Sequence, residues 1–198
     1  MSTYRKIFSD SIPRLINLFN TDQFASTYGY GDRQYSSWKT IDFANGTFQG
    51  GVHSIVIAYK LGILKNKAKV LELIDSSINA IPKIRHSNGS LVEAYPNEHS
   101  FCVTALVAFD VLSCIDLIKG EISKDDRNKY LEIIRPLINF ISKNDEEHAI
   151  ISNHLATGVA AISLWNNLTG ENNSRYSELL QVIYDNQSEE GWYKEYEG

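Results

Sequence analysis

The sequence predicts an all-α fold: an (α/α) toroid or barrel of helical hairpins, with residues 1–198 forming one such domain. Three observations predict it. Apolar residues recur at helical spacing along most of the chain, and strand-like alternation is scarce. The helices alternate between segments apolar nearly all round and segments with a charged face. A short glycine-containing motif recurs before the apolar helices about every 50 residues, a period typical of stacked helical hairpins.

Seven helices follow in order. The first, 3–20, sets Ile7, Phe8, Ile12, Leu15, Ile16, Leu18 and Phe19 among polar residues. Asp10, Pro13 and Arg14 interrupt what an export signal would need as an apolar run, so this is an amphipathic helix. The second, 50–64, is apolar from Val52 to Leu61. The third, 67–84, has a charged face with Lys67, Lys69 and Glu72, preceded by Lys65. The fourth, 98–119, is apolar from Phe101 to Leu112. The fifth, 124–143, opens with Ser123 and Asp126, which read as a capping box, and Pro136 is expected to kink it. The sixth, 153–168, is apolar from Leu155 to Trp165. Its Ala156, Gly158, Ala160 and Ala161 permit close helix approach, and Gly170 stops it. The seventh, 172–187, is amphipathic. A helix apolar all round must be covered on all sides, so the second, fourth and sixth are expected to form an inner layer with the others outside.

The motif is Asn45-Gly46-Thr47-Phe48 before the second helix and Asn88-Gly89-Ser90-Leu91 before the fourth. Glu190-Gly191-Trp192-Tyr193 stands where a further inner helix would follow. The chain supplies about three and a half hairpins, fewer than a closed ring needs. The expectation is therefore the N-terminal part of a longer protein. The alternatives are a short array that closes by self-association and a plain helical solenoid.

Composition narrows function. Lys plus Arg is 19 against 24 for Asp plus Glu, a net charge of -5, which offers no field to attract nucleic-acid phosphates. No uninterrupted apolar run approaches the roughly 20 residues that span a bilayer. Cys102 and Cys114 lie roughly 18 Å apart along one helix, too far for a disulfide, and are expected to be reduced core thiols of a cytoplasmic protein. No HExxH, no Cys/His ligand spacing, no phosphate-binding glycine loop and no dinucleotide fingerprint occur, so neither metal nor cofactor is expected.

Hairpin topology puts every outer-to-inner loop at one end of the array. Those loops carry Tyr30, Arg33 and Trp38; then Glu93, Tyr95, Glu98 and His99; then Glu146, Glu147, His148, Asn153 and His154; then Trp192, Glu195 and Tyr196. Aromatic platforms among polar groups suit sugar rings, whose faces are apolar and whose edges form hydrogen bonds. Singly, each of these residues is explained as loop packing or capping, with Asn153 a helix cap and His154 a bonded core residue. As a cluster they point to a poly- or oligosaccharide. The helix N-terminus at Asn153-His154 favours an anionic ligand.

The order Asn153-His154, Thr169-Gly170, Gln187, Glu190-Gly191-Trp192 and Glu195 resembles the toroid domain of the heparinase II/III-like and alginate lyase families. The resemblance is clearest over 153–195. It implies β-elimination on an acidic polysaccharide. Asn153 would hold the uronate carboxylate, His154 would act as base or co-binder, and Tyr196 would stand nearest to the tyrosine acid. Two departures stand out: Glu190 replaces the usual Asp, and the family tyrosine would fall just beyond Gly198. Two further readings stay open. One is a toroid glycoside hydrolase using two of Glu93, Glu98, Glu147 and Glu195. The other is a non-catalytic glycan-binding or scaffolding array.

Overall fold

The structure, a computed structural model, describes residues 3–196. Seven α-helices account for most of it: α1 Thr3–Ile16, α2 Val52–Lys60, α3 Lys67–Ile84, α4 Phe101–Ile118, α5 Lys124–Lys143, α6 Ser152–Thr169 and α7 Arg175–Asp185. A π-helical turn, Gln34–Trp38, and a 3-10 helix, Gly46–Gly51, lie in the long α1–α2 connection. Among the described residues no strand forms, only two isolated bridges.

Capping residues set several of the boundaries. Asn66 accepts from the Lys69 amide at 3.1 Å and opens α3. Ser100 does the same for α4 through Val103 at 3.1 Å. The capping box of α5 is present, with Ser123 Oγ accepting from the Asp126 amide at 3.0 Å and donating to its carboxylate at 2.7 Å. Gly170 ends α6 in the left-handed region at φ 78, its amide bonded to the Asn166 carbonyl.

Other expected ends move. α1 stops at Ile16, because Leu18 and Phe19 bond back only three residues, to Leu15 and Ile16, and the turn tightens out of α geometry. α2 begins only at Val52, where the 3-10 turn ends. A Cβ on Gly50 would sit 2.4 Å from Asp110 Oδ2 of α4, so this turn approaches its neighbour as only glycine permits. α5 runs on as one helix through Pro136.

The layers follow from burial. α4 packs on α2, α5 and α6, and its buried residues include Val103, Val107, Val111, Leu112, Ile115 and Ile118. Burial at that density explains its composition: it is the one described helix long and apolar enough to cross a membrane, and most of it lies inside the protein. α3 and α5 touch one another and cover α2 and α4 from one side, while α7 pairs with α6. All-round burial of the sixth helix is corrected. α6 buries Leu155, Gly158, Ala161, Ile162 and Trp165 but exposes Asn153, Ala156, Ser163 and Asn167. Its small residues therefore split between two roles. Gly158 admits Phe101, whose ring would lie 3.0 Å from an added Cβ, whereas Ala156 faces solvent.

The recurring motif has a recurring conformation. Asn45 and Asn88 each accept from the amide two residues on, at 2.8 Å from Thr47 and 3.0 Å from Ser90. The two motifs also touch: the Gly46 amide donates to the Val92 carbonyl at 2.8 Å, and a Cβ on Gly46 would lie 2.9 Å from Leu91. The third copy matches the second in its turn. His86 bonds to the Ser90 carbonyl and Gly89 to the His86 carbonyl; likewise Ser188 bonds to the Trp192 carbonyl and Gly191 to the Ser188 carbonyl. Gly89 and Gly191 share φ values of 99 and 91.

Candidate functional site

Hydrogen bonds join the outer-to-inner loops in two pairs. Gly46 joins the first loop to the second through Val92. The third and fourth are joined where Ser152 N and Oγ both donate to the Lys194 carbonyl, at 3.0 and 2.7 Å, beside a bridge between Ile151 and Glu195. Between the second and third stands Cys102, close enough to Glu93 and Glu146 for both carboxylates to act on its thiol.

Glu146 organises the third loop. Its side chain is 3% exposed, and its two oxygens serve two histidines: Oε1 accepts from His148 Nδ1 and Oε2 from His154 Nδ1, each at 2.7 Å. Burial alone would raise the Glu146 pKa. The hydrogen bonds from His148 and His154 outweigh that, and it lies below the ordinary carboxylate value. The same bond holds His148 above the ordinary imidazole value. An ionised carboxylate only accepts, so both Nδ1 atoms carry hydrogen. Whenever either ring is neutral, its Nε2 holds the lone pair of a proton acceptor.

The structure divides the sequence candidates into groups. His154, half-buried, belongs to the Glu146 cluster. Asn153 is exposed on the first turn of α6 and does not cap it; Ile151 stands at the cap position. The anion at this helix N-terminus belongs to the chain itself, because Glu195 Oε1 accepts from the Asn153 amide at 3.0 Å. Tyr196 follows Glu195 directly and is exposed, with φ 63, and Trp192 is 75% exposed. Of these residues His154 touches Glu146, and Glu195 is tied to the same helix start through the Asn153 amide.

Glu98 does not act as a free carboxylate. Its Oε2 accepts from the amides of Glu93, Ala94 and Tyr95 at 2.9, 2.7 and 3.3 Å, so it shapes the second loop. Glu93 accepts from Ser100 Oγ at 3.1 Å, and Tyr95 is exposed. His99 lies 2.7 Å from Ser90 Oγ and packs edge-on against His86, ring centroids 4.4 Å apart.

The first loop forms a separate group. Tyr30 is buried, stacks on Tyr35 at 6.0 Å, and borders a 270 Å³ cleft with Asp42, His86, Val92 and Asn97. Burial pushes its phenol up. Arg33 lies over the Trp38 ring at 5.5 Å and donates to the Asn17 carbonyl at 2.6 Å. Among the described residues no hydrogen bond or ion pair ties Arg33 or Trp38 to Glu146.

Two further acidic groups complete the picture. Asp32, 2% exposed, accepts from the amides of Gln34, Tyr35 and Asn45 and knits the first loop. Asp110 in the middle of α4 lies 2.9 Å from His53 Nδ1. No sequence signal separates these from other carboxylates. Glu146 was visible only as one member of an acidic loop, since its partner His154 lies beyond the apolar bridge residue Ile151. Among the described residues no cluster of His, Cys, Asp or Glu has the arrangement of a metal site. Comparison of the chain with protein-family models, with curated proteins and with solved structures finds no match.

Proposed function

We propose that the chain is a toroid-type helical-hairpin domain acting on carbohydrate at this rim, with His154 as the proton-transferring base. The observation that carries the reading is the Glu146–His154 contact, which fixes the orientation of an imidazole on the first turn of α6, next in the chain to Asn153. Trp192 and Tyr196 are exposed on the loop that Lys194 and Glu195 tie to that turn. In β-elimination the C5 proton of a uronate is acidic enough only when its carboxylate charge is dispersed. The Asn153 carboxamide would serve that group, as the lyase resemblance implies. His154 Nε2 takes the proton, and the Tyr196 phenol protonates the departing oxygen. Trp192 offers a ring face to the sugar. The two free cysteines suit a reducing, cytoplasmic compartment.

A second reading draws on charge. Glu93, Glu146, Glu147 and Glu195 gather on the same loops and disfavour a polyanion, which fits hydrolysis or binding of a neutral glycan. One assay separates these readings. The protein is incubated with a uronate polysaccharide and a neutral one, and the ultraviolet absorbance of a new C=C bond is followed beside new reducing ends. Lyase action gives absorbance that Asn153→Ala and His154→Ala abolish while circular dichroism stays unchanged. Reducing ends without absorbance select the hydrolase. Binding without turnover, indifferent to both substitutions, selects the non-catalytic array.

A further inference from the structure

A cavity of 690 Å³ lies between α1, α2 and α3, beside the α2–α3 turn, and shares no lining residue with the Glu146 cluster. Protein interiors are close-packed, and a cleft of this size falls within the roughly 300–1,000 Å³ of small-molecule sites. Its wall is mainly aliphatic: Ile16, Ile55, Ile63, Leu64, Val70 and Leu73. Its polar lining comes from the α1–α2 connection, the α2–α3 turn and α3. Lys65 and Lys69 border it, and neither ammonium meets a carboxylate among the described residues. Lys67, between them in sequence, is paired with Glu121 at 3.4 Å, and the first turn of α3 holds no acidic residue. Glu72 also lines the cavity, but its Oε1 is engaged by the Gln23 amide at 2.6 Å. The half-buried Tyr28 contributes a hydroxyl with no hydrogen-bond partner among the described residues.

We infer that this cavity binds a single-chain anionic amphiphile, its aliphatic tail against the α1–α2–α3 wall and its carboxylate or phosphate at Lys65 and Lys69. Burying the tail removes apolar wall and apolar chain from water together. The unpaired ammonium groups then receive the counter-charge that the chain itself does not supply. A neutral sugar would leave the aliphatic wall unmatched, and a cationic amphiphile would meet two like charges.

The test is calorimetric titration of the full chain with dodecanoate below its micellar concentration, beside dodecyltrimethylammonium, which has the same tail and the opposite head. Saturable one-to-one binding of dodecanoate, with the cation much weaker, is expected. The surface variant Lys65→Gln/Lys69→Gln should weaken dodecanoate about a hundredfold, the loss of two charge-assisted contacts at about tenfold each. Ile63→Trp, which fills the cavity, should abolish binding. If that variant unfolds by circular dichroism, the lysine variant still decides. Three results overturn the assignment: no saturable binding, equal affinity for the two head groups, or indifference to the lysine substitutions. Concentration-dependent dimers that do not bind the probe would also overturn it and give the cavity to a second copy of the chain.

Discussion

Gly89→Ala is the most informative single substitution in the scaffold. Gly89 sits at φ 99, and a Cβ there would lie 2.1 Å from the Pro136 carbonyl oxygen and 2.7 Å from its carbon. Those are backbone atoms of α5, so neither side can yield by rotating a side chain. The left-handed conformation costs an L-residue about 1–2 kcal/mol. Forcing the rim loop off α5 adds the overpacking cost of about 1–3 kcal/mol. Stiffening the unfolded chain returns about 0.4–1 kcal/mol. The net expectation is a loss of about 1–5 kcal/mol. Gly62→Ala is the control. Gly62 has φ 72, but nothing lies within 4 Å of its added Cβ, so strain and unfolded-state gain leave about 1 kcal/mol or less. Urea unfolding of both variants, followed by circular dichroism at constant m-value, gives the difference directly. If Gly89→Ala costs no more than Gly62→Ala, the close approach to Pro136 contributes nothing and the account of the rim loop is wrong.

Glu146→Gln should release both histidines, and an imidazole NMR titration should find His148 falling from its raised pKa toward the ordinary value. The Glu146 contribution to stability is present above the ordinary carboxylate pKa and lost as pH falls through its lowered folded value. That of His148 is present below the ordinary imidazole pKa and lost as pH rises through its raised folded value. The stability gap between wild type and Glu146→Gln should thus be widest at mildly acidic pH and narrow on both sides; a pH-independent gap would contradict the clamp. Glu121, hydrogen-bonded by Lys60 and by Tyr59 and ion-paired to Lys67, titrates at about 2. Its stabilisation should vanish as acid carries the protein from the ordinary carboxylate range through that value, and Glu121→Gln should flatten this part of the acid-unfolding curve. Burial pushes the Cys102 thiol up to about 11 and the buried Cys114 thiol higher still. Neither should react with a disulfide reagent at neutral pH until denaturant is added, and rapid labelling of the native protein would refute that.

Some of the molecule was legible because its causes are local. Ser123 and Asp126 open α5 wherever the helix is placed, since the capping bonds span only three residues. Gly170 ends α6 by its own φ. Asn45 and Asn88 turn the chain through bonds to amides two residues away, which is why the repeat could be read from dipeptides. Unreadable were the boundaries decided by a distant neighbour. α2 is short because Gly50 and Gly51 are drawn against Asp110, Leu15 and Phe19, residues the local pattern does not contain.

The same division holds at the candidate site. Apolar periodicity determined the all-α class and the seven helices, because helical spacing is a local property of the chain. Which side chains meet was decided by tertiary structure. Glu98 and Glu195 look equivalent to Glu146 in the chain, yet backbone amides occupy the first two while two imidazoles, beside the His148 amide, occupy the third. A carboxylate takes its role from the donors within hydrogen-bond reach, and those are set by the packing of α4, α6 and their loops.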